Sequence, residues 1–100
     1  MLYLDHAATS PVRPEVLDAM RPFLAGVFGN PSSHHTYGEA AASALDEARA
    51  RVARVLGMRS GDVIFTSGGT ESNNLAVKGI VLAALARGRG HLVVSPIEHE

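Results

Sequence analysis

The stretch Ile64-Phe65-Thr66-Ser67-Gly68-Gly69-Thr70-Glu71-Ser72-Asn73-Asn74 concentrates the chemistry of this chain. An apolar β-type run, Val63-Ile64-Phe65, leads into two glycines, a threonine and a helix-forming segment. Glycines at such a turn let the backbone approach a ligand closely and take positive φ at no steric cost. The helix start that follows offers unpaired N–H groups and a partial positive charge, which suits a phosphate. Thr70 stands where its hydroxyl can cap the helix, donate to a phosphate oxygen, or both. Glu71 also favours a helix start, but its charge repels an anion, so its side chain is expected to face away from a bound phosphate. On the local pattern alone, a ligand-free strand–helix turn remains the other reading.

Two more groups of polar residues deserve the same question. Asn30-Pro31-Ser32-Ser33, with His35 after it, reads either as a site loop or as plain turn chemistry. His99 lies between Glu98 and Glu100 near a chain end, which from sequence alone reads first as an exposed histidine. A metal site is not expected. No two histidines show the i,i+3 or i,i+4 spacing of a helical ligand pair, and the adjacent His34 and His35 point their rings apart.

The elements that must position these residues follow from periodicity. Residues 1–12 read as an extended arm closed by Pro11. Residues 14–24 read as a helix, with Pro14 in the first turn and Val16, Leu17, Met20, Phe23 and Leu24 on one stripe. Residues 26–38 are a loop rich in Gly, Asn, Pro and Ser. The clearest helix is 39–56, dense in alanine, stopped at Gly57 and supported by a Glu47–Arg51 pair. Residues 62–66 read as a strand, 70–87 as a helix apolar almost all round, and 91–95 as a second strand. Together 62–95 predict a βαβ unit with parallel strands and a right-handed crossover. Gly68–Thr70 and Glu98–His99 would then share the edge beyond the strands' carboxyl ends, where ligands bind in such sheets.

Composition sets the class. The chain has 100 residues, 46% hydrophobic and 19% charged, as expected for a globular protein. A net charge of −1 with interspersed signs gives no footing for nucleic acid or an anionic membrane. The first residues lack a basic segment followed by an apolar core, so no secretory signal is expected, and a cytoplasmic location is the default. The longest apolar run, 79–86, is far below the roughly 18 residues of a membrane span. Zero cysteines exclude a disulfide framework.

Four ordered segments resemble the cysteine desulfurases, pyridoxal-phosphate enzymes of the class-V aminotransferase type. They are Tyr3-Leu4-Asp5-His6-Ala7-Ala8-Thr9-Ser10-Pro11-Val12, Gly29-Asn30-Pro31-Ser32-Ser33-His34-His35-Thr36-Tyr37-Gly38, the Ser-Gly-Gly-Thr turn, and His91-Leu92-Val93-Val94-Ser95-Pro96-Ile97-Glu98-His99. The resemblance covers essentially the whole chain. It implies an α/β fold, the amino-terminal part of a fold-type I large domain with three helices, two sheet strands and an extended arm. Residues 1–12 would be the arm, contributing to a small domain, and 13–100 the first part of the cofactor-binding large domain. In that family the first two strands are not neighbours, since later strands lie between them.

The resemblance also implies roles. Gly68, Gly69 and Thr70 would hold the phosphate of pyridoxal 5'-phosphate. His99 would stack on the cofactor ring and assist proton transfer. Asn30, Ser32, Ser33 and His35 would lie near the active site and the subunit contacts of a homodimer. The implied reaction converts L-cysteine to L-alanine and passes persulfide sulfur to an acceptor protein, as in iron–sulfur cluster assembly. Such an enzyme needs a lysine that holds the cofactor covalently and a cysteine nucleophile. The chain has no cysteine, and its one lysine, Lys78, lies on the helix after the turn. It therefore reads as the front of a longer enzyme, inert by itself. A selenocysteine lyase or an aminotransferase would share this front half, and a non-catalytic phosphate-binding module is the reading from another class.

Overall fold

The first helix owes its position to proline. In α1, Pro14–Ala25, Pro14 occupies the first turn, where its missing N–H costs nothing. A second proline, Pro22, lies inside the helix and withholds one N–H from the ladder. The helix ends a turn later, where the N–H groups of Gly26 and Val27 both donate to the Pro22 carbonyl, at 3.0 and 2.9 Å. The computed structural model describes residues 2–97 and divides at Val63 into two compact units, Met1–Val63 and Ile64–Glu100.

In the first unit the expected extended arm is instead folded. The N–H groups of Ala8 and Thr9 both donate to the Asp5 carbonyl, at 3.1 and 3.3 Å. The Tyr3 hydroxyl lies 2.9 Å from that carbonyl and 3.1 Å from Thr9's. A turn locked by a tyrosine hydroxyl leaves no periodic trace in sequence.

The second helix, α2, spans Thr36–Leu56, three residues earlier than its alanine pattern predicts. Its N-cap is His35, whose Nδ1 accepts from the Gly38 N–H at 3.3 Å. The preceding loop folds tightly onto this first turn. A Cβ on Gly29 would fall on the Tyr37 backbone, and one on Gly38 on the Ser33 and Asn30 carbonyls. At the other end Gly57 takes φ 66°, and the Met58 N–H donates to the Ala53 carbonyl at 2.9 Å, closing the helix in the left-handed stop glycine allows. The expected Glu47–Arg51 pair is present at 3.1 Å.

Where a strand was expected to begin, Ser60–Asp62 forms a 3-10 turn packed against α2. Arg59 closes it with two hydrogen bonds to Asp62, both 2.9 Å. That pairing holds the Asp62 carboxyl below its ordinary range, and raises Arg59 in turn. From α2, Arg49 donates to the Val63 carbonyl at 2.6 Å. Ala53 and Val63, 3% and 8% exposed, are the buried apolar residues of this small core.

The second unit carries α3, Gly69–Leu85, whose exit is turned by Gly88 at φ 71°. The Arg89 N–H then donates to the Ala84 carbonyl at 2.9 Å. The prediction of two strands is overturned: residues 62–66 and 91–95 form no ladder, and the described residues contain helices and no strand. A strand exists only through a ladder with a neighbouring strand, and the described residues form none; Val93 is 83% exposed. The α/β expectation thus becomes, for the described residues, three α-helices and a 3-10 turn. A helix apolar almost all round is usually buried on more than one side, yet Leu75, Ile80, Leu82 and Leu85 of α3 are exposed. Among the described residues no helix is long and apolar enough to cross a membrane.

Candidate functional site

Gly68, Gly69 and Thr70 lie together at the amino end of α3, in the second unit. Gly68 is the N-cap, with extended backbone and no side chain to cap with. Thr70 is therefore the second helical residue and not the cap, which removes the bland role its hydroxyl was offered. That hydroxyl has no hydrogen-bond partner among the described residues, and neither do the N–H groups of Gly69, Thr70 and Glu71. The first ladder bond is Ser72 N–H to the Gly68 carbonyl, 3.1 Å. Three backbone donors and one hydroxyl are thus left at a helix start, where the peptide dipoles add positive potential.

The two glycines are not explained by the protein's own packing. A Cβ built on Gly68 or Gly69 meets no atom within 4 Å, and neither residue takes positive φ. Gly29 and Gly38 are the opposite case, crowded by backbone. The donor set and the open approach over Gly68 and Gly69 fit a phosphate group.

Glu71 is exposed, yet its carboxylate is held by Ser67. One carboxylate oxygen accepts from the Ser67 N–H at 2.8 Å and from its hydroxyl at 2.6 Å. These bonds, the hydroxyl's first, hold the Glu71 carboxyl below its ordinary range. A second tie joins the same segments: the Thr66 hydroxyl lies 2.6 Å from that of Ser72 and 3.2 Å from the Gly68 carbonyl. The sequence reading missed both. The signal was a Ser–Glu spacing of four, one longer than the usual capping box.

The loop residues belong to the first unit and spend their polar groups locally. Asn30 Oδ1 accepts from the Ser32 N–H, and the Asn30 carbonyl from Ser33, both at 2.9 Å. His35 caps α2. Turn and cap chemistry therefore account for Asn30 and His35. His6 contacts Ser10 Oγ at 3.2 Å and the Tyr3 ring edge-on. His99 lies outside the described residues, as does Glu98, and without strands the expected shared edge has no frame in the described fold. Lys78 borders a shallow surface on α3 with Glu71, Asn74, Leu75 and Leu82.

The Aminotransferase class-V family model matches residues 2–100. Among curated proteins, the chain is 51% identical to "Cysteine desulfurase IscS" of Dictyoglomus turgidum over 98% of its length, covering 25% of that protein. It is 46% identical to "Cysteine desulfurase IscS 1" of Archaeoglobus fulgidus over 99% of its length, covering 26%. It is likewise 46% identical to "Cysteine desulfurase" of Rattus norvegicus over 99%, covering 22%. The chain spans about a quarter of the length of these relatives. With a match over nearly every residue, the chain belongs to the Aminotransferase class-V family.

Proposed function

We propose that this chain is the amino-terminal segment of a pyridoxal-phosphate-dependent cysteine desulfurase and forms the phosphate end of its cofactor site. The observation that carries the proposal is the turn at Gly68-Gly69-Thr70, with its unpartnered N–H groups and hydroxyl and the space above both glycines. The names of the relatives support the choice of reaction within the family. When bound, pyridoxal phosphate would act as an electron sink for the substrate carbon.

In this reading the Gly69 and Thr70 N–H groups and the Thr70 hydroxyl bind the phosphate, and charge-assisted hydrogen bonds outweigh the helix-dipole contribution. His99 packs on the ring and moves a proton at the substrate. The substrate is L-cysteine, the products are L-alanine and persulfide sulfur for an acceptor protein, and the enzyme is a cytoplasmic homodimer serving iron–sulfur or thio-cofactor assembly. Residues 1–12 belong to the small domain and 13–100 to the large one.

In the intact protein, Thr70→Val keeps the side-chain shape and removes the hydroxyl. Cofactor affinity is expected to fall by about 1–3 kcal/mol, the worth of a hydrogen bond to a charged group. Unchanged affinity in a cofactor titration would overturn the assignment. His99→Ala is expected to shift the bound cofactor's absorption and slow substrate deprotonation while the protein stays folded. Wild-type spectrum and turnover would return His99 to an ordinary surface histidine.

A further inference from the structure

The turn poses a mechanical problem of its own. Gly68 and Gly69 are adjacent, unpacked and free of left-handed constraint, so each has more conformational freedom to lose than any other residue type. Donors on such a backbone bind an anion well only if something else holds their directions. Two side-chain ties span the glycines. Ser67, just before them, is bound through its N–H and its hydroxyl to Glu71, just after Thr70. Thr66 is bound to Ser72, and its hydroxyl also reaches the Gly68 carbonyl. Ser72 donating to Thr66, and Thr66 to Gly68, satisfies every proton in that chain.

We propose that Glu71 is a positioning residue for the phosphate-binding turn: its carboxylate, closed on Ser67, fixes the direction of the Gly69 and Thr70 donors without touching the ligand. The proposal rests on the phosphate reading above and adds to it. It also gives a negative side chain beside an anion site a use, since its charge is engaged by two donors of Ser67. Where only a fraction of molecules has the donors aligned, apparent affinity falls by that fraction.

The test uses the intact protein and two probes, pyridoxal phosphate and pyridoxal, which lacks the phosphate. Glu71→Ala is expected to weaken pyridoxal phosphate about fivefold and to leave pyridoxal binding and the melting midpoint unchanged. Glu71→Gln, whose amide oxygen still accepts from Ser67, is expected to recover most of that loss. Thr70→Val runs alongside as the direct phosphate contact. If Thr70→Val weakens pyridoxal phosphate and Glu71→Ala does not, the positioning role is overturned and the phosphate site stands. If neither has an effect, the phosphate reading falls and takes this proposal with it. Tighter binding by Glu71→Ala would make the residue a repelling charge, and equal weakening of both probes would make it merely structural; either result overturns the proposal.

Discussion

Replacing Gly38 with alanine in the intact protein is expected to cost about 3 kcal/mol or more of stability, in the range of overpacked sites. The added Cβ would fall on the Ser33 carbonyl and lie 2.8 Å from the Asn30 carbonyl oxygen. Both obstacles are backbone, so no rotamer change relieves the clash. Moving them breaks two features at once. The Asn30 carbonyl holds the Ser33 N–H at 2.9 Å, and the Gly38 N–H itself donates to the His35 cap. The loop and the helix start would loosen together. Gly61→Ala is the control: nothing lies within 4 Å of its Cβ, so a change within about 0.5 kcal/mol is expected. Chemical denaturation of both variants checks the pair, and equal midpoints would show that the loop yields more easily than its geometry implies.

Residues 1–100 produced as a separate polypeptide are expected to melt without a cooperative transition and to release no sulfide from cysteine. Burial within the units makes the case. Among the described residues the buried apolar ones are Ala53 and Val63, while α1 and α3 leave Val16, Phe23, Ile80 and Leu82 in contact with water. That much burial does not offset the entropy of ordering the chain. Exposed apolar helices also favour association. The chemical half follows from composition, since no cysteine is present to carry a persulfide. A sharp monomeric melt would refute the first half, and sulfide above a protein-free control, with pyridoxal phosphate added, the second.

What could be read from sequence was what is decided locally. Pro14, Gly57 and Gly88 punctuate the helices as their backbone chemistry requires, and the alanine stripe of α2 needed no structure to be seen. The start of α2 was misplaced because its cap is a histidine, outside the usual set of capping residues. The arm was misread because its turn depends on one tyrosine hydroxyl. The strands failed for a different reason. Val93 and Val94 have the right chemistry for a strand, but a ladder is a property of two segments, and their composition says nothing about whether a partner is at hand. At the site, the Gly-Gly-Thr motif was legible, while the Glu71–Ser67 tie was not, because a carboxylate before a phosphate site reads first as a repulsion.

The hydrogen bond from Arg49 to the Val63 carbonyl bears on how the chain is made as well as on how it rests. It joins residues only 14 apart in sequence. Loops of that size close in about 0.1 microseconds, while a ribosome adds a residue every 0.05–0.2 seconds or so. Once Val63 clears the exit tunnel, α2 and the 3-10 turn have ample time to dock before the next residue follows. Residues 91–95 form no ladder among the described residues. During synthesis they emerge only after the first unit has had time to close.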